Sequence, residues 1–144
     1  MSTASPTPAI RAADSFFYAY DRHDLDGMLE VCAERAQIRY VPLGDGGRGP
    51  AHVMGRAIWA EFFEAFPDLH VEVNSMFGDE ANVAAEVTIG GTHERPFRGL
   101  PTKGRHYELP HAFILRLAQS RIVQITAYWD TVRFYTQLGI GARD

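Results

Sequence analysis

The sequence predicts an α+β fold in which helices, early in the chain, cover one face of a single antiparallel sheet. Most of the chain before Pro67 has helical apolar spacing, whereas from Asp68 onward apolar residues recur at every second position. Runs of helices followed by runs of long strands are typical of α+β domains. The 144 residues are 46% hydrophobic, which suffices for one sizeable core. We therefore expect one domain over residues 9–140, after a disordered tail over residues 1–8.

Two helices open the predicted fold, and a third follows a short strand. Four residues share one face of the first helix: Ala13, Phe16, Phe17 and Tyr20. Asp24 can cap the second helix. That helix buries Leu25, Met28, Leu29 and Cys32. The third helix covers residues 52–66 and ends before Pro67. Its broad apolar stripe consists of Ile58, Trp59, Phe62, Phe63 and Phe66.

The strands are predicted from alternating polarity and from the turns between them. The first strand is "AQIRYVPL", residues 36–43, and the loop "GDGGRGP" follows it. Two hairpins come later, one around the turn "FGDEAN" and one around "AQSR". The long loop "GGTHERPFRGLPTKG" separates the hairpins. The last helix is "TVRFYTQL", residues 131–138, and Gly139 closes it.

Charge and composition exclude several classes of partner. The net charge is −4 and the basic residues are scattered, so the chain has no basic face for nucleic acid or anionic lipid. No apolar run approaches the roughly 20 residues that span a bilayer. The single cysteine, Cys32, excludes an intrachain disulfide, and the first ten residues lack the basic start and apolar segment of a signal peptide. We expect a cytoplasmic protein.

Cofactor motifs are weak, so we expect the protein to act without a cofactor. The segment "GDGGRG", residues 44–49, matches the glycine pattern of dinucleotide-binding folds, but Pro50 interrupts it and no crossover helices follow. An ordinary flexible loop explains it better. His93, His106 and His111 have spacings that match no metal-ligand pattern, so no metal is predicted. Cys32 lies on an apolar helical face, which indicates a core residue rather than a nucleophile.

His111 is the first candidate for a catalytic group. It shares a strand face with Phe113, Leu115 and Leu117, so its imidazole is either a satisfied core residue or a proton-transfer group in a cavity. Apolar surroundings would keep the imidazole neutral and able to act as a base near pH 7. His93 lies in the long loop and is expected to be exposed, although such loops often form a lid.

Asp130 is the second candidate. It directly precedes the last helix, where an aspartate caps the first turn. It is also out of phase with Ile125, Ala127 and Trp129, so it points away from their face or lies at its rim. The sequence favours a helix cap and leaves a carboxylate at the rim of a pocket as the alternative.

The order of elements, together with "FPDLHVEV", "GTHERPFRGLPTKGR" and "YWDTVRFYTQLG", resembles the SnoaL-like polyketide cyclases over residues 9–139. These proteins belong to the group of nuclear transport factor 2, which also holds ketosteroid isomerases and limonene epoxide hydrolases. The resemblance implies a cone-shaped barrel, in which a curved sheet wraps around three N-terminal helices and an apolar cavity. It also implies a homodimer through the outer sheet face and a role in antibiotic biosynthesis.

The catalytic residues of these relatives are not carried over. Alignment places Phe16, Val41 and Phe113 where ketosteroid isomerases have their tyrosine and two aspartates. Where the cyclases and epoxide hydrolases have an acid on the final strand, this chain has Thr126 and Ala127. Proton transfer next to a carbonyl by the ketosteroid isomerase mechanism is therefore not expected.

Two hypotheses follow. The protein is either a cofactor-free cyclase or isomerase that orients a large hydrophobic, polyketide-like substrate, or a non-catalytic module that binds a small molecule. An epoxide-hydrolase-like or isomerase-like enzyme is a further alternative. The predicted catalytic residues are His111 and Asp130. The predicted pocket consists of Phe16, Phe17, Tyr20, Tyr40, Trp59, Phe63, His93, Phe113 and Trp129. Ala112 and Ile114, on the opposite strand face, are expected in the dimer interface.

Overall fold

The computed structural model describes residues 6–141 and confirms the α+β prediction. Within these residues the helices are α1 Pro8–Asp21, α2 Leu25–Glu30, α3 Arg56–Ala65 and α4 Thr131–Gln137. The strands are β1 Cys32–Tyr40, β2 Arg48–Pro50, β3 His70–Gly78, β4 Asn82–Thr92, β5 His106–Ala118 and β6 Arg121–Tyr128. The six strands form one curved, unclosed sheet in the order β2-β1-β6-β5-β4-β3.

The sheet departs from the wholly antiparallel prediction at one pair of strands. β3, β4, β5 and β6 are antiparallel neighbours, as their hairpins and the β4–β5 register require. β1 instead pairs with β6 in parallel, with Ile38 opposite Ile125 and Tyr40 opposite Ala127. The reason is topological: β1 and β6 are far apart in sequence, so no hairpin turn fixes their relative direction.

Two element boundaries also differ from the sequence prediction. Cys32 was predicted on the second helix, but it is the first residue of β1 and pairs with Ile122. The helix ends earlier because the carbonyl of Val31 accepts a hydrogen bond from the Ile122 N–H at 2.9 Å. Cys32 is buried, and burial raises the pKa of its thiol to about 12, as befits a core residue.

The predicted loop 44–50 contains the short strand β2. Ile38 of β1 lies opposite Gly49 of β2 in an antiparallel pair. Before β2 the chain forms 3-10 turns over Val41–Gly47, broken at Gly44, whose φ of 64° favours glycine. One π-helical turn, Ala51–Gly55, then leads into α3, so the third helix starts less regularly than its apolar stripe suggests.

Side chains cap the helices as the sequence indicates. The Asp24 side chain accepts a hydrogen bond from the Gly27 N–H at 2.9 Å and so caps α2. Thr7 caps α1 by accepting from the Ile10 N–H at 3.1 Å. Residues 1–5 of the predicted tail lie outside the described residues. Between Pro6 and Gly141, no helix is long and apolar enough to cross a membrane.

The core lies between the inner face of the sheet and helices α1 and α3. On β5 every second residue from Tyr107 to Leu117 is buried, which matches the alternation seen in the sequence. Phe16 of α1 and Trp59 of α3 are fully buried against this face. The three N-terminal helices and the curved sheet therefore enclose a core dense in aromatic rings.

Candidate functional site

A pocket of about 700 Å³ lies at the corner where β6 ends and α4 begins. β6 ends at Tyr128, opposite Ala112, so the part of β5 before Ala112 has no β6 neighbour. The chain turns into α4 at this point and leaves an opening beside β5. The pocket is lined by Asn74, Glu86, Val87, Pro110, His111, Ala112, Tyr128, Trp129, Asp130 and Arg133.

The pocket brings together three residues that the sequence selected. His111 and Asp130 were predicted as catalytic, and Trp129 was predicted as a pocket residue; all three line this space. The rings of His111 and Trp129 are in contact, with their centroids 5.1 Å apart. The corner between β6 and α4 is thus the candidate active site.

His111 is a buried, neutral imidazole. Its Nδ1 lies 3.1 Å from the carbonyl oxygen of Leu109. Because a carbonyl only accepts hydrogen bonds, Nδ1 carries the proton in this pair and Nε2 is left as an acceptor. Burial lowers the pKa of His111 to about 4. At neutral pH the imidazole can therefore accept a proton or a hydrogen bond through Nε2.

The buried state of His111 predicts a stability loss in acid. The unfolded chain protonates His111 near its ordinary pKa of about 6.5, whereas the folded protein resists protonation until about pH 4. The unfolded state therefore binds more protons between these values, and stability falls as the pH decreases through them. The part due to His111 is expected to reach at most about 3 kcal/mol.

Chemical denaturation of the wild type and of His111→Gln, each near neutral pH and in acid, measures this contribution. Glutamine does not titrate, so the variant should lose less stability on acidification than the wild type. Comparing the two chains removes the effect of the other buried histidine, His93, whose pKa burial also lowers. The same acid-induced loss in both chains would contradict the prediction.

Asp130 is both a helix cap and part of the pocket. Its Oδ1 accepts a hydrogen bond from the Arg133 backbone N–H at 3.1 Å, which places Asp130 at the start of α4 in the capping position. The residue is exposed and lines the pocket. The two interpretations drawn from the sequence therefore describe one position, and the carboxylate remains a proposed catalytic group.

Substitution of Asp130 should separate these roles. Asp130→Ala is expected to cost about 0.5–2 kcal/mol of stability, because alanine cannot accept the N–H of Arg133. Asp130→Asn should be nearly as stable as the wild type, because asparagine also caps helices. Denaturation curves and turnover of both variants test this. An Asp130→Asn protein of normal stability whose activity falls about a hundredfold would identify Asp130 as a general acid rather than a cap alone.

The other eight predicted pocket residues lie outside this pocket. Seven of them pack ring against ring, six in the interior and Phe63 partly buried at its edge: Phe16, Phe17, Tyr20, Tyr40, Trp59, Phe63 and Phe113. The eighth is His93. The sequence pattern identified the correct face of each element, but these side chains fill the space inside the cone themselves. Phe113, for example, has its ring centroid 5.1 Å from that of Phe17 in an edge-on contact.

Three of these aromatic residues form a buried hydrogen-bonded group. The Trp59 Nε1–H donates to the Tyr40 hydroxyl oxygen at 2.8 Å. The hydroxyls of Tyr20 and Tyr40 share a second hydrogen bond of 2.9 Å. Burial raises the pKa of both tyrosines above the ordinary value, so both hydroxyls stay protonated.

His93 is fully buried rather than exposed on a lid. Its ring stacks on Phe66 with the centroids 5.1 Å apart, and neither ring nitrogen has a hydrogen-bond partner. Its backbone is held by Arg105, whose carbonyl accepts the His93 N–H at 2.9 Å, and by the Thr102 hydroxyl, which donates to the His93 carbonyl. His93 does not line the pocket at the β6–α4 corner.

His93, His106 and His111, which are close in sequence, do not come together in the structure. His93 is in the interior, while His106 is exposed and contacts Glu108, with 3.2 Å between Nε2 and Oε2. His70 contacts the same carboxylate oxygen at 2.7 Å. In the described part of the chain, no group of three His, Cys, Asp or Glu side chains has an arrangement that could hold a metal ion.

Sequence reasoning missed the polar residues Asn74, Glu86 and Arg133 of the pocket. Asn74 occupies a bulge in β3, between the pairs Val73–Val87 and Ser75–Glu86, and it accepts a hydrogen bond from the Thr88 hydroxyl at 2.8 Å. The bulge leaves no signal in the alternation pattern. Arg133 could have been found, because the third residue after a helix cap lies beside that cap.

The chain belongs to the SnoaL-like polyketide cyclase family, whose model matches residues 9–138. Its fold is that of the nuclear transport factor 2 group, as the resemblance implied. No curated protein matches the sequence.

Several solved structures are similar to the chain. IdmH from Streptomyces antibioticus, a candidate polyketide cyclase, is 26% identical; the alignment covers 94% of this chain and 100% of IdmH with a TM-score of 0.79. A candidate SnoaL-like polyketide cyclase from Jannaschia sp. CCS1 is 20% identical, with coverages of 96% and 97% and a TM-score of 0.83. AclR from Streptomyces galilaeus, a candidate hydroxylase, is 21% identical, with coverages of 91% and 84% and a TM-score of 0.77. Two of these proteins are described as candidate cyclases and the third as a candidate hydroxylase, so the structural similarity shows the fold and does not specify one reaction.

Proposed function

We propose that the protein catalyses the cofactor-free cyclisation or isomerisation of a large hydrophobic, polyketide-like intermediate. The observation that carries this proposal is the pocket at the β6–α4 corner, where a buried, neutral His111 lies beside Trp129 and Asp130. A neutral imidazole with a free Nε2 lone pair can take a proton from an acidic carbon, although its lowered pKa makes it a weaker base than an ordinary histidine. Membership of the SnoaL-like family supports a cyclase-type reaction.

In the proposed reaction, Nε2 of His111 removes a proton from a carbon between two carbonyl groups. Such hydrogens are acidic, so a weak base suffices. The resulting enolate carbon attacks a distant carbonyl carbon of the same chain, and a carbon–carbon bond forms as the carbonyl π-bond breaks. The imidazolium returns its proton to the new alkoxide. Substrate and product are therefore isomers, and the step consumes no oxidant or reductant.

Orientation of the chain supplies the rest of the catalysis. Val87, Trp129 and Ala112, the last of which lies on the outer sheet face that is expected to form the dimer interface, give the pocket apolar surface against which a flexible chain can fold. Holding the two reacting carbons near each other removes several kcal/mol of entropic barrier. Asp130 and Arg133 add opposite charges to the wall and can orient polar ends of the substrate.

The test is incubation of purified, chelator-treated protein with a panel of linear poly-β-keto thioesters and terpenoid precursors. Mass spectrometry and NMR follow the products, and a reaction without protein corrects for spontaneous cyclisation. The expected product has the mass of the substrate and a new ring. His111→Ala should form it more slowly, whereas His106→Gln, an exposed residue on the same strand, should behave as the wild type.

Three other outcomes would overturn the proposal. Tight binding without a new isomer from any precursor would favour the non-catalytic binding module. A product heavier by one water would favour an epoxide-hydrolase-like reaction. Conversion that stops after chelation and resumes with added metal would contradict the cofactor-free mechanism.

A homodimer through the outer sheet face is the proposed assembly. Phe77, Ala84 and Ile114 lie opposite one another on β3, β4 and β5 and face away from the core. Phe77 is 62% exposed, so the strip offers apolar surface that a second copy can bury about a two-fold axis.

Ile114→Arg is expected to give a monomer, because it places a charge within this apolar strip. Val53→Arg is the control, since Val53 is also an exposed aliphatic residue but lies outside the strip. Sedimentation velocity at micromolar concentration distinguishes the two states. A wild-type protein that is monomeric under these conditions would contradict the proposed dimer.

A further inference from the structure

The buried group of Trp59, Tyr40 and Tyr20 has one more hydrogen-bond donor than it uses. Its donors are the indole N–H and two hydroxyls, and it makes two hydrogen bonds. If Tyr40 donates to Tyr20, the Tyr20 hydrogen has no acceptor; if Tyr20 donates, the Tyr40 hydrogen has none. Within the described residues, one hydroxyl hydrogen of the pair is therefore free to bind an acceptor.

A buried donor without an acceptor costs about 1–3 kcal/mol of stability, so we expect a bound molecule to supply the missing acceptor. The rings around the pair are aromatic and uncharged: Phe16, Phe62, Phe63, Phe113, Trp59 and Trp129. A carboxylate or phosphate would lack charge compensation there. The acceptor that fits is the oxygen of a neutral carbonyl group on an apolar molecule.

Trp129 connects this group to the pocket. The Trp129 ring lies 5.7 Å from the Tyr40 ring and 5.1 Å from the His111 ring. Trp129 also lines the pocket and is only partly buried, whereas Phe113 and Phe62, which also contact Tyr40, are buried. Tyr40 is thus separated from the pocket by the Trp129 ring, and a ligand in the pocket reaches it only by displacing that packed indole.

We infer that Tyr40 is a carbonyl-binding residue: its hydroxyl, accepting hydrogen bonds from Trp59 and Tyr20, donates its own hydrogen to a ketone oxygen of the ligand behind Trp129. A hydroxyl that accepts two hydrogen bonds is a stronger donor, because the bonds polarise one another. The inference rests on the proposed function for its ligand class. It adds a polar contact that holds one carbonyl of the chain while His111 acts on a neighbouring carbon.

The test uses infrared spectroscopy of a ketone that cannot cyclise, 2-acetylnaphthalene labelled with ¹³C at the carbonyl. A hydrogen bond to the carbonyl oxygen lowers its stretching frequency. The expected result is a band at lower frequency in the wild-type protein than in hexane. Tyr40→Phe should lose this downshift and bind the ketone up to about tenfold more weakly, the size of one hydrogen bond.

Tyr18→Phe is the matched control, because Tyr18 is on the same helix as Tyr20 but is 65% exposed. It should keep the wild-type band. Should Tyr40→Phe fail to fold by circular dichroism, Tyr20→Phe decides the question, since it retains the Trp59–Tyr40 bond. A smaller downshift in Tyr20→Phe supports the assignment, because Tyr40 then accepts one hydrogen bond fewer.

An unchanged band in a folded Tyr40→Phe protein would overturn the assignment, and so would a wild-type protein that does not bind the ketone. Either result leaves the cyclisation assay unaffected, because that assay follows a different substrate and a different residue. Failure of cyclisation with a normal downshift would instead remove the proposed reaction and keep the carbonyl site.

Discussion

His111→Ala is expected to lower the rate of cyclisation about a hundredfold or more, the size of a lost general base. The physical reason is that the variant removes the buried imidazole, neutral at physiological pH, that lines the pocket. Saturating substrate should not restore the rate, because the loss lies in the chemical step rather than in binding. Single-turnover measurements with the best substrate of the panel give this rate directly.

His111→Gln distinguishes proton transfer from orientation. Glutamine can accept and donate hydrogen bonds but cannot carry the proton, so it should be as slow as alanine if His111 is the base. If glutamine restores most of the rate, His111 only orients the substrate. A rate for His111→Ala within about threefold of the wild type would show that the imidazole is a core residue with no part in turnover.

Much of the fold could be predicted from the sequence, because the spacing of apolar residues and the residues that cap helices are local signals. The alternation of β4 and β5, the stripe of α3 and the caps at Asp24 and Asp130 all appear where the pattern indicated them. The parallel β1–β6 pair and the short strand β2 could not be predicted in this way. Both depend on contacts between segments distant in sequence or on a loop with no alternation.

The site was predicted in part for a similar reason. His111 was predicted because it is polar on an apolar strand face, Asp130 because it directly precedes the last helix, and Trp129 because it shares the alternating face of the final strand. Asn74 reaches the pocket through a bulge, whose geometry the pattern does not contain, whereas Arg133 follows from the helix cap at Asp130 and was overlooked. Alternation identifies which side chains point inward, but it gives no information about whether the inward space is empty or filled.

Phe113 is the residue at which the difference between an empty and a filled interior has the largest measurable effect. The sequence placed it on the wall of a cavity, whereas the structure surrounds its fully buried ring with those of Phe17, Tyr20, Tyr40 and His111. Phe113→Ala is therefore expected to lower the free energy of unfolding by about 3–5 kcal/mol, the cost of deleting a fully packed phenylalanine. Denaturant unfolding followed by circular dichroism measures this loss.

Tyr18→Ala is the comparison for Phe113→Ala, because it deletes a ring of similar size that is mostly exposed on α1. Its stability should stay within about 0.5 kcal/mol of the wild type. A Phe113→Ala protein that loses clearly less than about 3 kcal/mol would indicate that the ring borders empty space and makes few contacts on one side. The cone would then hold the large apolar cavity that the family resemblance implied. The full loss, by contrast, means that any ligand reaching Tyr40 must first displace packed rings.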